Sequence, residues 1–395
     1  MTSSVNRQTP IDRWQKRAIV AGVVGVIVCA IAAALDLEMF YRAYLIGFLF
    51  WWTAAIGCLG LVMLHHLVGG TWGRATRPIF ESGAETMLLV AVLFVPVGLG
   101  VAYLYPWARP EEVAADPLLQ MKSQYLNVPF MLGRAAAFFI VWLVLAVAVI
   151  RMAARARRLE KSARRRRVPR LSAGGLVLLV LTASFAAIDW AMSLDPHWYS
   201  TIYGILVAIG GAVAALSLAI LSITAFAPQA VRDAETFGQV LHDLGNLLLA
   251  FLMLWTYFGF SQFLIIYSGN IPEEAIFYVH RLEHGWQWLA LAIVVLAFAT
   301  PFAMLLSRDN KRDPARLAGI AALVFVMQWV HLIWLIGPSL HHEGMIVPWA
   351  EAGIFVGVGG FWLAVAMSRL RKRIAAGEGE LLLNEPIAGV GVEHG

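Results

Sequence analysis

Ten apolar runs, each about twenty residues long, divide the chain: 18–37, 44–65, 86–105, 129–150, 171–190, 201–226, 243–266, 286–306, 317–337 and 350–368. A helix needs roughly 20 apolar residues to cross about 30 Å of hydrocarbon. Runs this long and continuous satisfy their backbone hydrogen bonds internally, so they are expected as helices and not as barrel strands. Of the 395 residues 60% are hydrophobic and 14% charged, with a mean hydropathy of +0.73. A soluble domain carries about 25% charged residues. Too little polar surface remains to cover a water-facing globule. The expected fold class is an all-α integral membrane protein with ten transmembrane helices.

The basic residues orient these spans. Of 30 Lys and Arg, 25 fall in 1–17, in alternate connections, or after Ser368. The positive-inside rule then places both termini in the cytoplasm. The segments are a cytoplasmic stretch at 1–17, span one at 18–37, spans two to four at 44–150 and a basic cytoplasmic loop at 151–170. Span five follows at 171–190, spans six to nine at 201–337, span ten at 350–368 and a cytoplasmic tail at 369–395. The loop "RMAARARRLEKSARRRRVPR" is the strongest anchor and is expected as a solvated topogenic segment, with binding of anionic membrane lipid as the alternative. The net charge of +5 is topogenic by its placement, so no nucleic-acid partner is expected. No A-x-A site follows the first run, and no cleaved signal peptide is expected. Cys29 and Cys58 both sit in apolar runs and read as small buried hydrophobes.

Spans two to five and six to nine look like duplicates. "RPIFESGAETMLLVAVLFV" aligns with "GQVLHDLGNLLLAFLMLWT", and the run from Leu171 aligns with that from Leu317. Four helices per unit give copies of the same orientation, hence two tandem parallel four-helix bundles with spans one and ten at the periphery.

An ionisable side chain inside a span is costly and needs a partner or a task. An inner group comprises His65, His66, Glu81, Glu85, His242 and Asp243, with Glu81 opposite His242 in the two bundles. An outer group comprises Arg134, Asp189, His284, His331 and Glu351. His331 lies about 21 Å into its span at 1.5 Å per residue, the deepest histidine. The inner group is expected first as structure. His331 and Asp189 are expected to serve a proton path, which with the inner group would make two half-paths bridged by Tyr257, Ser261, Gln262 and Gln328. The alternative is that they satisfy one another as structural pairs or helix-end groups. Beyond the fifth span, Asp195, His197 and Trp198 suit either a proton exit or the docking of a neighbouring subunit. No catalytic or metal-binding residue is expected. "HRLEH" matches H-x-x-E-H, but at the mouth of a span and without a soluble domain to hold a peptide. A haem between His284 and His331 would need ligands at equal depth. "VGVGGFW" supplies small residues for close helix packing.

The string "DWAMSLDPHWYSTIYG", the inner "LHDLGNLLLAFLMLWTYFGFSQFLIIYSGN" and "WVHLIW" in ten spans resemble the shorter NrfD-like membrane subunit of bacterial alternative complex III, over essentially the whole chain. The resemblance implies an inner-membrane subunit of a respiratory quinol:cytochrome c oxidoreductase. Its implied partners are a longer sister NrfD-like subunit, an iron–sulfur protein, cytochrome c subunits and a terminal oxidase. Haem c and iron–sulfur clusters would reside on those partners, and this chain alone would bind no cofactor. The family's quinol-oxidation site is usually placed on the sister subunit, and the loops on this chain's outer side are short. The expected role is therefore scaffolding and proton conduction, not catalysis by this chain alone. Direct quinone or quinol binding and a stand-alone multi-pass transporter are the alternatives.

Overall fold

The structure, a computed structural model, describes residues 10–156, 161–232, 235–341 and 349–378, and among them helix dominates and no strand occurs. Ten helices are long and apolar enough to cross a membrane, which makes this a multi-pass membrane protein. They are α1 (Pro10–Leu35), α2 (Leu37–Val68), α3 (Thr71–Leu99), α4 (Val128–Arg155), α5 (Arg167–Leu194), α6 (Tyr203–Phe226), α7 (Glu235–Gly269), α8 (Trp286–Leu306), α9 (Pro314–Leu340) and α10 (Trp349–Ala375).

Several helices outrun their apolar stretches. Helix α1 begins at Pro10, where a proline is tolerated in the first turn and Asp12 favours the positive end of the helix dipole. The polar stretch expected at 1–17 is thus helical from Pro10, and residues 1–9 lie outside the described residues. The expected basic loop at 151–170 is corrected in the same way. It is helical to Ala156 and again from Lys161, with 157–160 outside the described residues. Arginine is a good helix former, so a basic run does not end a helix. Of the expected tail, 379–395 lie outside the described residues.

Helix α2 is the centre, buried along nearly all of its apolar length. It touches α1, α3, α5, α6 and α10. Helix α6 packs on α2, α5, α7 and α9, while α4 lies on α5 and α8 lies on α7 and α9. The α2–α6 contact passes through Gly57 and Gly211, where a Cβ on Gly211 would sit 2.2 Å from the Thr53 carbonyl oxygen. Helices α1 and α10 meet at Gly25 and Gly357, where a Cβ on Gly25 would lie 2.0 Å from the Gly357 Cα. Lipid tails are as apolar as leucine, so close backbone packing of this kind, not the hydrophobic effect, holds such helices together.

The helix ends bearing Arg151, Arg167, Arg308 and Arg371 form an arginine-rich rim. At the opposite rim the connections are not bare loops. Residues 106–127 fold into a 3-10 turn and two short helices, Pro110–Ala115 and Pro117–Lys122. A further helix, Pro272–Leu282, precedes α8. Helix α3 is interrupted by turn residues at Glu85 and Thr86, and α8 contains a π-helical segment, Ile293–Ala299.

Candidate functional site

Asp189 stands one residue before the helical end of α5, its carboxylate fully buried. Arg134, on the second turn of α4, donates to it from Nε at 2.7 Å and from a terminal nitrogen at 3.2 Å. The Tyr125 hydroxyl donates to the same carboxylate at 3.0 Å. The guanidinium lies over the Tyr125 ring at 3.8 Å and the Phe130 ring at 4.4 Å. A bidentate arginine pair with a third donor satisfies a buried carboxylate. Burial, reinforced by the Asp189 charge, pushes the Tyr125 hydroxyl up to about 12. Two residues of the expected outer group thus meet, and Tyr125 joins them.

The connection after α5 is pinned from above by residues 105–127. Tyr105 donates to the Trp190 carbonyl at 2.8 Å, Trp107 to that of Ser193 at 3.1 Å, and Lys122 to that of Pro196 at 2.6 Å. His197 and Asp116 pair at 2.6 Å. Desolvation of Asp116 is outweighed by His197 and the Leu118 and Leu119 amides, and its carboxyl is held below the usual range. The docking role expected for Trp198 is corrected: its ring is buried and stacks on Phe277 at 3.7 Å, so it serves the core. Asp195 and His197 do line an open cleft of about 390 Å³, with Glu112, Asp116 and His280.

His331 is buried in α9 and makes no hydrogen bond to a described residue. The Trp255 indole and the His331 ring meet edge to face, 4.8 Å between ring centroids. It lines a small cavity of about 20 Å³ where α2, α6 and α9 meet, together with Thr53, Gly210 and Gln328. The Gln328 Nε2 and the Trp255 Nε1 nearby are buried without hydrogen-bond partners. A space of this size holds about one water, and the donors around it are those a water would satisfy. Gln328 and His331 thus bring polar groups without protein hydrogen bonds to one small cavity between three spans.

The remaining outer residues lie apart. His284 is exposed with a φ of 50°, beyond the end of the helix at Leu282, so the two histidines of "HRLEH" do not share a helix. Glu351 pairs instead with the buried His341 at 3.6 Å. Of the residues expected to bridge the two half-paths, Tyr257 is exposed on the lipid-facing side, and Gln262 accepts from Ser200 at 3.0 Å and donates to Tyr278 at 3.3 Å.

The inner residues split into separate sets. Glu81, almost wholly buried, is held by Arg373 and Arg77, and Glu85 receives Arg373 at 2.6 Å. Both acids are claimed by α10 and not by His242, which lies 3.4 Å from Asn246. Asp243 accepts from Thr71 at 2.6 Å. His65 lies 3.3 Å from the Gly69 carbonyl, and His66 2.9 Å from the Ser172 hydroxyl.

Two residues escaped the sequence reading. His341 adjoins a second histidine at the end of a span, where a pair reads as surface. Arg281 follows an acidic, surface-like stretch, yet it is only 1% exposed. Its guanidinium donates to the Leu335 carbonyl at 2.7 Å, to that of Phe277 at 2.8 Å and to the Ser339 hydroxyl at 3.0 Å. Burial, against the pull of Tyr203 and Asp195, brings this arginine down to about 10. No protein-family model and no curated protein matches the chain.

Proposed function

We propose that this chain is an integral scaffold subunit of a bacterial respiratory quinol-oxidising complex of the alternative complex III kind, and that it carries protons through His331. In this reading the arginine-rich rim and both termini face the cytoplasm, as the placement of basic residues favours. The ten spans divide into parallel bundles α2–α5 and α6–α9, flanked by α1 and α10. The repeat is supported by a correspondence at its outer ends: aligning Leu171 with Leu317 sets Asp189 against Leu335 and Ser193 against Ser339. Arg134 engages Asp189, and Arg281 engages the Leu335 carbonyl and Ser339.

One observation carries the proton role: the small cavity at His331, set among apolar side chains, with Thr53 and the unpartnered Gln328 Nε2 on its wall. A histidine ring can take a proton at one nitrogen and release it from the other, with water as the carrier. At about 20 Å³ the cavity is far below the roughly 300–1,000 Å³ of small-molecule pockets. That favours proton transfer over quinone binding at this position. Asp189, neutralised by Arg134, acts as a structural pair, and the inner acids brace α10. Iron–sulfur clusters and c haems reside on partner subunits, and the cleft at Asp195 and His197 faces a periplasmic neighbour.

The test is replacement of His331 by Asn in the intact complex, reconstituted in liposomes. Quinol oxidation without the matching proton release, in a fully assembled complex, is the expected result. Full proton release would refute the relay. A chain that purifies in mild detergent without cytochromes would support the transporter alternative instead.

A further inference from the structure

A groove of about 530 Å³ runs between α4 and α5 at the arginine-rich rim. Its walls are apolar, formed by Leu143, Val144, Val147 and Leu171, and its outer end carries Arg151 and Arg155. The two arginines are four residues apart on α4, so they project from one face with about 6 Å between their levels. Both are exposed, and neither forms an ion pair with a described residue. Arg134, Arg281 and Arg373 differ in that each is engaged by the protein's own carboxylates or carbonyls. Arg167 and Arg170, at the foot of α5, are exposed in the same way. Between positions 151 and 170 the sequence has ten basic residues and one acid, Glu160, so the local field is positive.

We propose that this groove is a binding site for an anionic phospholipid, its phosphate on Arg151 and Arg155 and an acyl chain along Val144 and Val147. Guanidinium groups match phosphate oxygens in two-pronged geometry and shed water more readily than ammonium groups. A basic pocket between spans, continuous with an apolar slot, selects an amphiphile by charge at one end and by length at the other. A free phosphate would leave the slot unfilled, and a neutral lipid would leave both cations unpaired. The site depends only on the membrane-spanning fold and is independent of the proposed respiratory role.

The full-length chain, purified in mild detergent and stripped of lipid, is titrated separately with phosphatidylglycerol and phosphatidylcholine, and bound lipid is counted by native mass spectrometry. Phosphatidylglycerol is retained preferentially. Arg151→Gln with Arg155→Gln weakens its binding roughly five- to thirty-fold, the scale set by two arginines near a lipid phosphate. Val147→Trp, which occupies the slot at a half-exposed position and keeps both arginines, weakens it as well. Arg308→Gln with Arg312→Gln removes the same charge at the same spacing elsewhere on the rim and leaves binding unchanged. Equal retention of the two lipids overturns the proposal. So does an equal loss in the Arg308/Arg312 variant, which would reduce the effect to general surface charge.

Discussion

A carboxylate inside a lipid-embedded protein is neutralised either by a proton or by a cation, and Asp189 takes the second course. Its two oxygens are shared by Arg134 and Tyr125, and the Tyr125 and Phe130 rings, set at right angles, form a corner that holds the guanidinium in register. Removing one member of such a pair leaves the other charged and dry. Arg134→Ala is expected to cost about 3–5 kcal/mol in stability, whereas Arg134→Leu combined with Asp189→Leu should recover most of it. Thermal unfolding in detergent measures both, and a double variant as unstable as the single one would contradict this account. Asp189 was visible in the sequence because an acid at the end of an apolar run is conspicuous. Arg281 was not, because the charged residues around it read as solvated surface. Its burial depends on a carbonyl offered by α9, 54 residues further along.

At the scale of the helices, two glycines set how closely the central pair approach. A Cβ at Gly211 would meet the backbone of Thr53 at 2.2 Å, while one at Gly133 would meet nothing within 4 Å. Gly211→Ala should therefore destabilise by about 1–3 kcal/mol through overpacking. Gly133→Ala should be neutral or gain about 0.5–1 kcal/mol from helix propensity. The contrast is read from unfolding midpoints of the two variants, and equal shifts would dismiss the close approach as the cause. The number of spans was legible in the apolar runs because each run must bridge the same thickness. The helix ends were less so. Hydropathy senses lipid, and helices continue past lipid wherever propensity and capping permit, as at Pro10 and through Arg151–Ala156. The break in α3 and the π-helical turn in α8 leave no signature in the apolar periodicity.

Across the whole molecule, contacts remote in sequence fasten the beginning of the chain to its end. Arg373 reaches Glu85 across 288 residues, and it also holds the buried Glu81. Arg373→Ala is expected to destabilise by roughly 3 kcal/mol, since the buried Glu81 loses a directly paired guanidinium. Arg371→Ala, which removes an exposed pair with Asp12, should cost under about 1 kcal/mol. Denaturation of the two variants side by side in detergent distinguishes them, and comparable losses would show that the Glu81 cluster is merely superficial. The position of these acids along their span was legible in the sequence, because it follows from where the apolar run lies. Their partner was not legible, because azimuth around a bundle depends on which helices become neighbours.

The central position of α2 constrains how the molecule is made. The ribosome delivers this helix long before α5, α6 and α10 exist to enclose it. Threonine and tryptophan side chains that end up walled in must first face acyl chains, at small cost because they are largely apolar. Each later arrival then displaces lipid from the same rod. Assembly is therefore a wrapping process around an early axle, and truncated products should accumulate with α2 still accessible to membrane-dissolved crosslinkers.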